Sequence, residues 1–286
     1  MNAIELSHVN KSFGDFAIQD LSLTVPGGTI CGLVGENGAG KSTTIRLIMN
    51  ALRPDSGTVR VLGTDAASPE FLAVKDDIGV VLDEAYFPEV LNVDQVGRIM
   101  AKTYRRWDPA KYSAYLDRFQ LPEKRQFKDF SRGMKMKLAI AVALSHDPKL
   151  LILDEATAGL DPVVRDEILD EFLGFVCDED HSILISSHIT SDLEKVADYI
   201  TYIHKGQVIL SDTKDEILDR YGRVGCTAAQ LAEVAPGDLL RVRKGPFGCE
   251  GLTADREAFR RGYPGLTVDP ASLEDIMLLI GKGEAV

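Results

Sequence analysis

The stretch GENGAGKST, Gly35 to Thr43, restricts the possible folds more than any other part of the chain. It fits the pattern G-x-x-x-x-G-K-[ST]. The apolar run TICGLVG precedes it, and a helical pattern follows from Lys41 to Ala51. Glycines let the backbone curl so that successive N–H groups face one anion. The N-terminus of the following helix adds partial positive charge. In such a loop Lys41 reaches β- and γ-phosphates and the Ser42 hydroxyl ligates Mg²⁺. At an ordinary glycine usage of ~7%, a chain of this length meets the pattern by chance only about once in a hundred.

A second element carries chemistry. LLILDEAT, Leu150 to Thr157, ends an apolar strand in two adjacent carboxylates. Asp154 is the candidate for a Mg²⁺ shell, and Glu155 for polarising a water that attacks phosphate. The plainer alternative is a pair of solvated carboxylates at a strand tip. A third stretch, DFSRGMKMKLAIAVAL, opens a helix with Ser131 at the capping position, but Arg132 and Gly133 are odd choices for a first turn.

Composition narrows the classes. With 286 residues, 45% of them hydrophobic, the chain can bury a large core. A net charge of −12 and no visible basic stripe argue against a nucleic-acid binder. The four cysteines, Cys31, Cys177, Cys226 and Cys249, are too scattered for a zinc or redox motif and suit a reducing compartment. The N-terminal sequence has no signal-peptide pattern. No apolar run approaches the length of a membrane span, so a chain of this kind does not cross a bilayer unaided.

Strands are expected over IELSHVNKSF, FAIQDLSLTV, TICGLVG, GTVRVLG, KLLILDEA and SILISSH, with a hairpin in YITYIHKGQVIL turning at Lys205-Gly206. Helices are expected over 92–104, 109–119, 131–145, 163–176 and 189–197. The order gives a mostly parallel sheet with flanking helices, an antiparallel patch and an inserted helical block. Beyond Tyr221 the composition shifts to short elements, with Thr227 and Ser272 as helix caps.

Together these residues resemble the ATPase subunit of an ATP-binding-cassette (ABC) transporter over about residues 3–215. GENGAGKST resembles its phosphate loop, with Gly35, Asn37, Gly38, Ala39, Gly40, Lys41, Ser42 and Thr43 around the nucleotide, and LLILDEAT its second acidic motif. AGLDP, with Asp161, is similar to the turn that communicates across a cassette dimer. His188 in ISSHI resembles the switch histidine, and Phe13 in KSFG the aromatic that stacks on adenine. FSRGM stands where the family has Leu-Ser-Gly-Gly-Gln.

The resemblance implies an α/β fold with a P-loop NTPase (RecA-like) core over residues 1–215. It adds an N-terminal antiparallel β patch and a helical subdomain at about 88–148. Residues 216–286 would form a small C-terminal α+β appendage. It implies ATP hydrolysis with Mg²⁺, with Glu155 and His188 catalytic and Ser42 and Asp154 at the metal. Two cassettes would sandwich two ATPs, Ser131 and Gly133 of one reaching the γ-phosphate on the other. Arg132 departs from the family pattern and has two readings, a charge-assisted phosphate contact or a solvated side chain. Asp83 departs too, standing where relatives carry a glutamine, with Glu84 beside it, and is a candidate third metal ligand. The implied partners are a separate transmembrane permease and a second copy of the chain or a paralogous ATPase subunit. No nucleic acid is expected. The chain would sit in the cytoplasm at the inner face of the cell membrane, docked around Tyr86, Phe87 and residues up to about 128. PASLEDIMLLI resembles the tail of bacterial drug, antimicrobial-peptide and small-molecule exporter ATPases, which favours export. The alternative is a soluble ABC ATPase acting on ribosomes or DNA, although those usually carry two cassettes or long coiled coils. No Asn-Lys-x-Asp guanine motif points to a GTPase, and a P-loop kinase leaves FSRGM and AGLDP unexplained.

Overall fold

A long hairpin opens the chain in the computed structural model, which describes residues 1–83, 87–246 and 248–284. Strands β1 (Asn2–Phe13) and β2 (Phe16–Pro26) pair antiparallel, with Phe13 opposite Phe16 at the turn. β3 (Ile30–Val34) follows, buried along its whole length. The phosphate-loop stretch then leads into α1 (Lys41–Ile48). This helix stops before the expected Ala51. Asn50 takes φ +50°, and the N–H groups of Ala51 and Asn50 turn back to the Arg46 and Leu47 carbonyls at 2.9 and 3.1 Å. That is a Schellman cap with asparagine in the left-handed position, and it leaves the chain free to enter β4 (Ser56–Val61) and the short β5 (Thr64–Asp65). These strands complete a four-stranded sheet ordered β2-β1-β4-β5.

A single turn, α2 (Phe71–Val74), precedes β6 (Ile78–Val81). Three helices then separate β6 from the next strand: α3 (Val93–Thr103), α4 (Pro109–Arg118) and α5 (Arg132–Leu144). Their starts are set locally. Asn92 and Gln95 form a reciprocal capping box, and Asp108 caps α4 with Pro109 in the first turn. The chain continues through β7 (Leu150–Asp154), α6 (Pro162–Phe175), β8 (Ser182–Ser187), α7 (Thr190–Val196), β9 (Tyr199–His204) and β10 (Gln207–Thr213). The second sheet runs β10-β9-β3-β8-β7-β6. β10 is antiparallel to β9, and the other pairings are parallel. Buried on both faces, β3 and β7 show the continuous apolar runs that parallel strands require.

The remaining residues form α8 (Lys214–Arg220), β11 (Gly222–Cys226), α9 (Ala228–Leu231), β12 (Arg241–Gly245), β13 (Gly248–Thr253), α10 (Arg256–Gly262), β14 (Thr267–Pro270) and α11 (Leu273–Lys282). Thr227 and Ser272 both head capping boxes. A third, antiparallel sheet runs β12-β13-β11-β14. It has its own apolar cluster around Val224, Leu239, Val242 and Phe259. Helix α11 does not join that cluster. Leu273, Ile276, Leu279 and Ile280 enter the main core together with residues of α5, α6 and α7.

Candidate active site

Neighbouring strands β3, β8 and β7 deliver three functional segments to one edge of the second sheet. β3 opens into the phosphate loop, β7 ends at Asp154 and Glu155, and β8 ends just before His188. This is the carboxyl edge of a parallel sheet, where open α/β folds place their ligands.

The loop backbone is shaped for close approach. Gly40 caps α1 at φ +116°, and a Cβ there would lie 2.7 Å from the Ile18 Cδ1 atom. The N–H of Ala39 donates to the Glu36 carbonyl at 3.1 Å and closes the turn. Asn37 and Gly38 are exposed on its outer side, and Ser42 and Thr43 are half-buried in the first turn of α1. Gly35 is buried beneath, where a Cβ would meet the Ile203 carbonyl at 2.5 Å.

Lys41 is only 5% exposed, so its ammonium needs partners. It donates to the Gly35 carbonyl at 2.7 Å and the Glu36 carbonyl at 3.3 Å. Its Nζ also lies 3.1 Å from Oε1 of Glu155, an ion-pair distance that falls outside hydrogen-bond alignment. The other Glu155 oxygen, Oε2, lies 2.6 Å from the His188 Nδ1 atom. Glu155 is therefore held between a cation and an imidazole.

Its backbone is unusual as well. Glu155 sits at φ +51°, a left-handed conformation that costs a residue with a Cβ about 1–2 kcal/mol. Such strain persists where surrounding contacts dictate it. Here the Glu155 N–H is held by the carbonyl and the hydroxyl of Ser186, each at 3.1 Å. The Ser186 hydroxyl also donates to Asp154 Oδ1 at 2.5 Å, which orients a buried carboxylate. Asp83 is exposed, two residues past Val81, which pairs in register with Leu153. It lies at the same sheet edge as Asp154 and Glu155. Glu84 and Tyr86 fall outside the described residues, and Phe87 packs edge-on against Phe127 at 5.5 Å.

The residues present fit a magnesium nucleotide. Lys41 supplies a cation already anchored by replaceable main-chain acceptors, and Ser42 and Asp154 offer oxygen donors suited to a hard ion. Phe13 is 41% exposed at the β1–β2 turn, as an open stacking face requires.

A second face gathers the turn segments. Ser131 caps α5, its Oγ accepting from the Met134 N–H at 3.2 Å. Asp161 caps α6, accepting from the Val164 N–H at 3.0 Å. A Cβ on Gly133 would lie 3.3 Å from a Val164 methyl. The Arg132 guanidinium lies against Gly159, within about 3 Å of where a Cβ would stand. Neither reading of Arg132 from sequence includes this contact within its own chain. Sequence reasoning also missed Ser186, whose only signal was a hydroxyl two residues before His188.

The ABC transporter family model matches residues 18–158. Nod factor export ATP-binding protein I of Rhizobium sp. (strain N33) is 32% identical over 302 residues, covering 96% of this chain and 96% of its own length. The chain belongs to the ABC transporter ATPase family. Similarity extends to the daunorubicin/doxorubicin resistance ATP-binding protein DrrA of Streptomyces peucetius, 37% identical over 227 residues, 77% of this chain and 68% of that protein. A solved ATP-binding subunit of an ABC transporter superposes with a TM-score of 0.66 at 28% identity, over 75% of this chain and 91% of that one. The cassette fold thus accounts for the convergence of the phosphate loop, Glu155 and His188 at one sheet edge.

Proposed function

We propose that this ABC ATPase subunit hydrolyses ATP to drive a separate membrane permease, in the direction of export. The observation that carries the reading is the convergence of Lys41, Glu155 and His188 within 3.1 Å links. Phe13 stacks on the base. The loop from Gly35 to Thr43 cradles the phosphates through its N–H groups, and Lys41 leaves its carbonyl partners for phosphate oxygens. Glu155 accepts the proton of the attacking water, and His188 holds that carboxylate in place and donates to charge that develops on phosphate. Ser42 and Asp154 would hold Mg²⁺, with Asp83 as the third oxygen, and the ion would supply neutralisation of phosphate charge.

Two copies, or this chain and a paralogue, close over two nucleotides. Ser131, Gly133 and Asp161 of one subunit complete the site of the other. In support, Ser131 and Arg132 are exposed, as is Val163 in the first turn of α6, 70% exposed, next to the Val164 that Gly133 faces. Among the described residues no helix is long and apolar enough to cross a membrane, and the reading assigns the passage through the bilayer to a separate permease. Export is favoured because the relatives include Nod factor export and drug resistance ATP-binding proteins. A net charge of −12 agrees with a partner other than nucleic acid.

Mixing a Lys41→Ala chain with a Ser131→Arg chain tests the shared site. Each alone has two dead sites, whereas a mixed dimer has one intact site. Restored ATPase activity is expected; a mixture as inactive as its components, with heterodimers shown to form by differential tagging, rejects the shared arrangement.

A further inference from the structure

Beyond residue 216 the chain returns to the phosphate loop. Helix α11 is fixed at both ends. At its start the Leu273 N–H donates at 2.8 Å to Glu194 Oε1, a side chain of α7, the helix that follows His188. Just past its end Glu284 exchanges two backbone hydrogen bonds of 2.9 Å with Val242 of β12, in the third sheet. Between these points its apolar face is part of the main core. The helix cannot shift without disturbing one of these attachments.

Its last turn meets Glu36. A Cβ on Gly281 would stand 3.0 Å from Glu36 Oε1 and 3.9 Å from the Tyr202 hydroxyl. The same Glu36 oxygen lies 2.8 Å from the His204 Nδ1 atom, outside hydrogen-bond alignment. Tyr202 is buried, and its hydroxyl has no hydrogen-bond partner among the described residues. Burial, and then the Glu36 charge, push that hydroxyl's pKa up to about 12. The carboxylate also faces the C-terminal, partially negative end of α11. Glu36 Oε1 thus stands between His204 and the last turn of α11, on a side chain that is about half exposed, and any Cβ at Gly281 would press on it.

Glu36 is a member of the phosphate loop. Its own carbonyl receives the Ala39 N–H and the Lys41 ammonium at 3.1 and 3.3 Å. A push on its side chain therefore bears on the residue whose carbonyl makes the two contacts that shape the loop and park the lysine. We propose that α11 is a brace for the phosphate loop, and that Gly281 acts as a positioning residue which, through Glu36, sets the affinity for ATP. The C-terminal segment, with its own sheet, is thereby mechanically continuous with the nucleotide site. The proposal rests on the ATP reading given above.

The test uses the full chain, Mg²⁺-ATP binding by calorimetry, steady-state hydrolysis and thermal unfolding. Gly281→Leu must push Glu36 aside. It is expected to raise the Kd and KM for ATP about 3- to 10-fold, a moderate coupling for residues in contact, with kcat within about twofold. Gly281→Ala is expected to keep or raise Tm, because alanine is the better helix former, while still weakening ATP by a smaller factor. Loss of affinity with equal or higher Tm is not what a merely structural role gives. In a Glu36→Ala background, Gly281→Leu should change Kd no further. Unchanged ATP affinity in both glycine variants, or the same fold-change with Glu36 removed, overturns the brace. Should Gly281→Leu fail to fold, Gly281→Ala with and without Glu36→Ala decides by the same criteria. Wild-type protein that does not bind ATP would instead reject the ATP reading itself.

Discussion

Glu155→Gln isolates the charge of the candidate base from its shape. The wild-type carboxylate is 14% exposed, with Lys41 Nζ at 3.1 Å on one oxygen and His188 Nδ1 at 2.6 Å on the other. Glutamine fits the same space but presents one acceptor and one NH₂ donor. Lys41 can only donate, so the amide oxygen turns to Lys41 and the NH₂ turns to His188, whose Nδ1 must then be the accepting nitrogen. The geometry survives, and Lys41 keeps its carbonyl partners Gly35 and Glu36. What disappears is the ability to accept a proton. Loss of a general base typically costs about 10²- to 10⁴-fold in rate, or about 2.7–5.5 kcal/mol in the barrier. ATP affinity should be equal or higher, because Lys41 gives up a neutral oxygen rather than an anion when it moves to phosphate. Phosphate release measured over single and multiple turnovers gives the rate, calorimetry gives the affinity, and gel filtration with ATP should show a dimer. Turnover within twofold of wild type would remove Glu155 from the chemistry. A rate loss accompanied by equal loss of ATP binding would assign Glu155 to binding instead.

Two further outcomes follow from particular residues. Asp83→Ala should raise the Mg²⁺ concentration needed for half-maximal hydrolysis and slow turnover, with Asp83→Asn intermediate; wild-type Mg²⁺ dependence in Asp83→Ala shows that this carboxylate is not at the metal. His146 is fully buried, stacked on Tyr104 at 3.9 Å, and burial lowers its pKa below the usual histidine value. Unfolding raises that pKa back to about 6.5, so the unfolded chain binds the proton more readily and stability is lost as pH falls below that value. The Tm of wild type should drop between pH 7.5 and 5.5 more than that of His146→Gln, and equal slopes would place the acid sensitivity elsewhere.

How much could be read beforehand depended on range along the chain. The phosphate loop, the buried strands and the capped helices announce themselves within a few residues, because glycine spacing, apolar runs and caps act locally. Thr227 and Ser272 are cases in point, since each capping box closes within three residues. The early end of α1 was harder, because Asn50 and Ala51 are compatible with helix until the chain must turn into β4. Contacts across the fold left no mark on the sequence. The rows of apolar residues in SLEDIMLLI show that α11 buries one face but not that it packs on α7 and joins the main core. The packing of Arg132 on Gly159 joins residues 27 positions apart, and Glu155's left-handed backbone follows from Ser186 on the neighbouring strand. Local chemistry named the candidate residues, and only the strand order β3-β8-β7 determines which of them meet.

That strand order also explains why the site binds its own charges together. Lys41 and Glu155 come from adjacent regions of one sheet edge, and both are mostly removed from water. An unpaired charge in such a place is expensive, so each serves as the other's counter-ion. The arrangement ties two functions to one event. On the proposed reading, phosphate oxygens draw Lys41 away, and the same movement releases the Glu155 oxygen that faced it. His188, 2.6 Å away on the other oxygen, keeps the carboxylate from following Lys41. On that reading Glu155 is free to meet the attacking water once a triphosphate holds Lys41.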